Sequence, residues 1–144
     1  MPVLEHSVIE FVERWKHQAA NVTLYPNTEA SLLLEVQVGG RVLYLMDRTG
    51  PYNIGSGPAR VIVHPVAETV IPSDAHDEVL QPIGVSRIEA TGRVLEVEQG
   101  FVIVQARAPL VVGVFDDSWK RVSVGQMVQF ESLEPLHGFV LGKQ

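Results

Sequence analysis

Asp74, His76, Asp77 and Glu78 place four potential metal ligands within five consecutive residues, in the run Ser73-Asp74-Ala75-His76-Asp77-Glu78. Imidazole nitrogens and carboxylate oxygens bind divalent cations, so these four are the candidate metal-ligating set, with His64 as a more distant ligand. A metal needs ligands that converge on one point, and adjacency in sequence supplies density instead. The plainer expectation is that Ser73 caps a short helix whose acidic first turn suits the positive end of the helix dipole. No cofactor is expected.

The segment 47–60, DRTGPYNIGSGPAR, is rich in glycine and proline and reads as a loop. Arg48, Tyr52, Asn53 and Arg60 are its candidate ligand-binding residues, since long loops on β scaffolds carry much of the binding chemistry of such proteins. Gly50 and Gly55 have the outer spacing of a phosphate loop, but Ser56-Gly57 stands where lysine and a hydroxyl residue should follow. Further on, His137 could pair with Glu134 or Asp116 as a general base. A serine nucleophile would also be required, and no G-x-S-x-G elbow exists. Trp119, between Asp116-Asp117 and Lys120-Arg121, is either a binding aromatic or a lid over one end of the fold. No catalytic residue is assigned.

These groups must be held by a mainly β scaffold with one N-terminal helix. Ser7 and Glu10 have capping-box spacing, and Val8, Phe11, Val12 and Trp15 recur every three or four residues, which predicts an amphipathic helix over residues 7–20 ending near Asn21. Aromatic residues at that spacing are core residues first. Two tight hairpins follow from glycine-bearing dipeptides. Around Gly39-Gly40, pairing puts Leu32, Leu34, Val36, Val38, Leu43 and Leu45 on a core face, and Leu33, Glu35, Gln37, Val42, Tyr44 and Met46 on the other.

Around Gln99-Gly100 in the stretch 93–115, pairing opposes Glu98 to Phe101, Val97 to Val102, Glu96 to Ile103 and Leu95 to Val104. Leu95, Val97, Val102, Val104 and Ala106 then form the core face. Val94, Glu96, Glu98, Phe101, Ile103 and Gln105 form a mixed face, in which Phe101 and Ile103 meet either the helix or a partner. Together with Trp119 they are the candidate interface residues. Elsewhere, strands are expected over 60–66, 84–98, 110–115, parts of 122–131 and 139–141, with Gly92 as a bend in a long strand.

The phrase Val122-Ser123-Val124-Gly125-Gln126-Met127-Val128-Gln129-Phe130-Glu131, followed by a glycine turn and a last apolar strand, resembles the closing segment of small OB-like barrels. The resemblance covers about the C-terminal third and implies only a fold: a single-domain antiparallel β barrel or strongly curved sheet over 22–141. The aromatic nucleic-acid motifs of cold-shock domains are missing.

Composition narrows the function classes. The chain has 144 residues, 46% hydrophobic and 19% charged, with no repeat or low-complexity tract, and one domain of this size buries a sufficient core without staples. It has no cysteine, which excludes disulfides, cysteine zinc sites and a thiol nucleophile. Glu5 and Glu10 interrupt what a secretory signal would need, so a soluble, unprocessed, cytoplasmic protein with no membrane span is expected. The net charge of −6, with basic residues scattered, disfavours a nucleic-acid partner. The expected function is a non-enzymatic module that self-associates as a homo-oligomer or binds a protein partner. The alternatives are a small enzyme or ligand or metal binder using the 47–60 loop and the 74–78 acidic cluster, and an OB-like binder of single-stranded nucleic acid.

Overall fold

The computed structural model describes residues 7–26, 31–49 and 55–143. In chain order these form a helix α1 (Val8–Trp15) and strands β1 (Ala20–Leu24), β2 (Leu33–Val38), β3 (Arg41–Asp47), β4 (Gly57–His64), β5 (Val66–Ala67), β6 (Ile71–Pro72), β7 (Val79–Ile83), β8 (Arg87–Glu98), β9 (Phe101–Gln105), β10 (Pro109–Val114), β11 (Met127–Glu131) and β12 (Leu136–Lys143). The protein is mainly β with one helix, as its patterning predicts.

The strands make two sheets. One closes on itself in the order β1-β2-β3-β12-β4, with β4 returning to pair with β1. The other runs β5-β10-β9-β8-β11-β6, and β7 pairs with the first half of β8. Pairing is antiparallel except for β3 with β12 and β5 with β10. A single apolar cluster runs through both sheets, from Val22, Val36, Leu43 and Val61 to Leu80, Val104, Leu110 and Val128. The phrase that resembles an OB-like closing segment therefore splits: Met127–Glu131 is β11 of the second sheet, and only the last strand, β12, belongs to the closed barrel.

A second apolar cluster lies between the sheets and the helix. Phe11 and Trp15 pack on Ile62 of β4 and Phe139 of β12 from the barrel, and on Phe101 and Ile103 of β9 and Val111 of β10 from the other sheet. The helix thus seals the seam where the sheets meet. Ser7 caps it by accepting the Glu10 N–H at 3.1 Å, and it is shorter than its periodicity predicts, giving way to a 3-10 turn over Lys16–Gln18. Asn21 does not end the helix; it sits in β1, whose Ala20, Val22 and Leu24 face the core. The Trp15 indole N–H is buried with no hydrogen-bond partner among the described residues, and the ring is held by apolar packing and by the Arg14 guanidinium 5.0 Å above it.

Polar contacts pin the helix end to the β8–β9 hairpin. Arg14 reaches Glu98 at 2.7 Å, and both His17 and Gln18 reach Glu96, at 2.6 and 2.7 Å. Burial pushes the Glu96 carboxyl up, but the hydrogen bonds from Gln18 and His17 outweigh it and hold the group below its ordinary value.

The β8–β9 hairpin follows the register read from sequence for Glu98–Phe101, Val97–Val102 and Glu96–Ile103, then shifts by one. A bulge at Leu95 opposes Val94, not Leu95, to Val104. Because side chains alternate, the extra residue exchanges the faces: Val94 enters the main core and Leu95 joins the cluster under the helix. The bulge falls where β8 leaves β11 for β9, and the bend in one long strand is what requires it. Gly92 lies in the same bend, and a Cβ there would sit 2.1 Å from the Gln105 carbonyl oxygen.

Other expectations are corrected. Leu32 precedes β2 and is 79% exposed, outside the core its hairpin position predicts. No helix follows Ser73: the backbone over 73–78 is irregular, and the Ser73 hydroxyl accepts the Ala75 N–H in a local turn. Residues 122–126 form a turn with no preceding strand, and Asp117–Arg121 is a 3-10 turn capped by Asp116.

Candidate functional site

Phe101 and Ile103 are 2% and 0% exposed, covered by Phe11 and Trp15 of the helix. Of the two alternatives for the mixed hairpin face, the structure takes the helix, and these two side chains present no surface to a partner. Aromatic packing explains the choice: the Phe101 ring lies 5.3 Å from Trp15 and 6.1 Å from Phe11, a spacing at which tilted rings attract. Trp119 is half-buried against the main core, with Lys120 5.5 Å above its ring.

The four candidate metal ligands do not converge. Asp74, His76, Asp77 and Glu78 are all exposed, and among the described residues no three His, Asp or Glu side chains surround a point that could hold an ion. Glu78 has a different task. Its carboxylate accepts the backbone N–H of Arg107, whose guanidinium donates to the Gly39 carbonyl and so ties the β2–β3 turn to the β9–β10 turn. Adjacency in sequence gave these groups density without convergence, and they are spread along an irregular, exposed segment.

The 47–60 candidates also separate. Tyr52 and Asn53 lie outside the described residues. Arg60 points from β4 to the Lys16 carbonyl at 2.9 Å, below the helix end. Arg48 follows β3 and approaches His137, its Nη1 3.4 Å from Nδ1, with its guanidinium 5.5 Å above the Phe139 ring. His137 pairs with His64 across β4 and β12, ring centroids 5.7 Å apart. Arg48, His137 and His64 thus form one cluster at the barrel's end, a grouping that unites residues from three separate sequence candidates.

The chemistry of this cluster is that of two neutral imidazoles beside a cation. His64 is fully buried under Phe11, and its Nδ1–H donates to the Val111 carbonyl at 2.6 Å, joining β4 to β10. Burial pushes its pKa down to about 3, and His137 and Arg48 push the same way against that hydrogen bond. Burial and then Arg48 also lower His137, which leaves its Nδ1 free of a proton to accept from the guanidinium. The nearby Thr49 hydroxyl donates to Asp47 and receives the Val140 N–H. That hydroxyl is a structural link between β3 and β12.

Two surfaces escaped the sequence reading or were only half seen in it. The outward face of β2 and β3 carries the pairs Glu35–Tyr44, Gln37–Val42 and Leu33–Met46, in the register and facing predicted, and Val42 and Tyr44 are each 38% exposed. The second is a groove of about 570 Å³ over β6, β8 and β11, lined by Glu68, Ile71, Arg87, Glu89, Thr91, Gln129, Glu131 and Leu133 among others. Each of its carboxylates looks in sequence like a lone surface residue; only strand register brings them together. Comparison with protein-family models, with curated proteins and with solved structures finds no match to this chain.

Proposed function

We propose that the protein is a non-enzymatic interaction module that associates with a second copy of itself through the outward face of β2 and β3. The observation that carries this reading is the row of Val42 and Tyr44 on that face, beside half-buried Leu33 and Met46 and with Leu32 exposed at its edge. Aromatic and aliphatic residues on an otherwise solvated strand gain most by meeting a like surface, and an exposed tyrosine brings large area at low entropic cost. A self-complementary patch of this kind forms an isologous pair. The non-enzymatic part of the reading draws on the histidines: one is sealed beneath the helix, and the other is engaged by Arg48.

The same strands are the binding face of OB-like barrels, which take oligonucleotides and oligosaccharides there. Here Glu35 lies within the face, Arg41 spends its guanidinium on the Leu80 carbonyl, and the net charge is −6, so a polyanion is repelled. Among the described residues no helix is long and apolar enough to cross a membrane. The reading places the protein in the cytoplasm, where a cysteine-free chain forgoes nothing.

Sedimentation equilibrium and native mass spectrometry test the proposal. The native chain is expected as a dimer or larger, and the double variant Val42→Lys, Tyr44→Lys as a monomer with unchanged circular dichroism and thermal midpoint. A native chain that stays monomeric at every accessible concentration overturns it.

A further inference from the structure

We infer that helix α1 is an acid-released strap: protons taken up by the histidine it covers and by the carboxylates that pin it lift it off the sheets and uncover the apolar seam beneath. The helix can part from the rest without dissolving it. Of its eight residues Phe11 and Trp15 are buried, and both belong to the cluster under the helix, whereas the main core that joins the two sheets includes no helix residue. The sheets therefore keep their common core when the helix leaves. The 3-10 turn over Lys16–Gln18 links it to β1, whose Ala20 pairs with Val61 of β4, so the strap swings from that end. Opening one locally packed element costs less than unfolding the whole chain. Trp15 lowers that cost further, because its indole N–H, without a partner among the described residues while docked, regains a water on release.

The pins give the release its sign. Glu98 receives the Arg14 guanidinium, and Glu96 receives His17 and Gln18. A carboxylate grips such donors most strongly while ionised, so acid loosens the helix end. His17, once charged, holds Glu96 more tightly, which delays the loss until Glu96 itself takes a proton, below its ordinary range. Beneath the helix, His64 pushes the same way. The Phe11 ring covers its imidazole, centroids 4.8 Å apart, and Phe101 and Phe139 flank it at 6.1 and 6.2 Å. Its Nδ1–H is committed to the Val111 carbonyl, so a proton must enter at Nε2, cut off from water while Phe11 is seated. The charges that act on it, His137 from β12 and Arg48 after β3, also oppose that proton. Withdrawing Phe11 opens the ring to water. With a pKa of about 3 under the helix and at most 6.5 outside it, His64 favours the released form by up to about a hundredfold at pH 4.5.

Acid titration of the 15N-labelled full chain from pH 7 to 3 tests the inference. The amides of residues 8–15 and the Trp15 indole are expected to move to unstructured positions in one step below about pH 5, while the amides of Val61, Val104 and Val112 and the Trp119 indole keep their folded positions. In His64→Asn, whose side-chain amide keeps a donor for the Val111 carbonyl but takes no proton, the step should fall by about half a pH unit or more. In Glu96→Gln, which removes one ionised pin, the step should rise. Dispersed sheet amides at pH 7 show that each variant is folded. Loss of helix and sheet signals in a single step, or helix signals that persist to pH 3, overturns the inference. An unmoved step in His64→Asn overturns it as well, or, should that chain lack dispersed sheet amides at pH 7, an unmoved step in Glu96→Gln.

Discussion

His64 shows how far a single residue's meaning depends on what covers it. In sequence it is an isolated histidine in an expected strand, a candidate distant metal ligand whose plainer reading is structural. The structure buries it under Phe11, turns its Nδ1–H to the Val111 carbonyl and holds it neutral down to a pKa of about 3. No local pattern announces this, because Phe11, Val111 and His137 come from three distant segments. The consequence is a pH dependence with a definite sign. The unfolded chain gains a proton on His64 near pH 6.5 and the folded chain does not, so stability is fully present above 6.5 and declines as pH falls toward 3. The decline from this residue is about 1.4 kcal/mol per pH unit in that window, and His137, shifted in the same direction, adds to it. Urea unfolding of the native chain and of His64→Leu at a series of pH values measures it: the variant should start less stable at pH 7, with the Val111 carbonyl unpaired, and should show a shallower slope below 6.5. Equal slopes would mean that His64 is protonated in the folded protein.

At the scale of elements, tight turns were legible and long-range matching was not. Gly39-Gly40 and Gln99-Gly100 fixed two hairpins and the facing of Val36, Val38, Leu43 and Leu45 correctly, because a two-residue turn dictates register for as long as pairing stays regular. The Leu95 bulge broke that regularity, and it answers to the passage of β8 between two partners, which the hairpin's own sequence does not encode. β1 went unread as a strand start because the helical period was carried through Ala20, although Ala20, Val22 and Leu24 alternate as a strand does. Glu89 and Glu131 become neighbours only once β8 and β11, distant in sequence, are paired in register. Gly92 tests the bend itself. The Gln105 carbonyl that blocks a Cβ belongs to the β9 backbone, so Gly92→Ala can be relieved only by parting β8 from β9. The expected loss is about 2–3 kcal/mol or more, read as a lower urea midpoint, with amide exchange accelerated first in β9. A loss of only a few tenths would show that the two strands separate readily at that point.

For the whole molecule, the question is whether two sheets behave as one cooperative body. The main apolar cluster passes through both without interruption, β4 lies against β10, and His64 ties them by a hydrogen bond. The helix then closes the seam from outside, its Phe11 stacked 4.4 Å from Phe139 of the barrel and 6.1 Å from Phe101 of the second sheet. A residue that touches both sheets stabilises their union, not either one alone. Phe11→Ala removes a buried ring at that junction and should cost about 3–5 kcal/mol. Since neither sheet owns the lost contact, the variant should unfold in a single transition at lower denaturant, with far-ultraviolet dichroism and tryptophan fluorescence coincident. Trp15 reports from under the helix and Trp119 from the edge of the main core, so the two fluorophores sample both regions. Two separated transitions, with the fluorescence of one tryptophan lost before the other, would show that the barrel and the second sheet are independently stable and that the helix only bridges them.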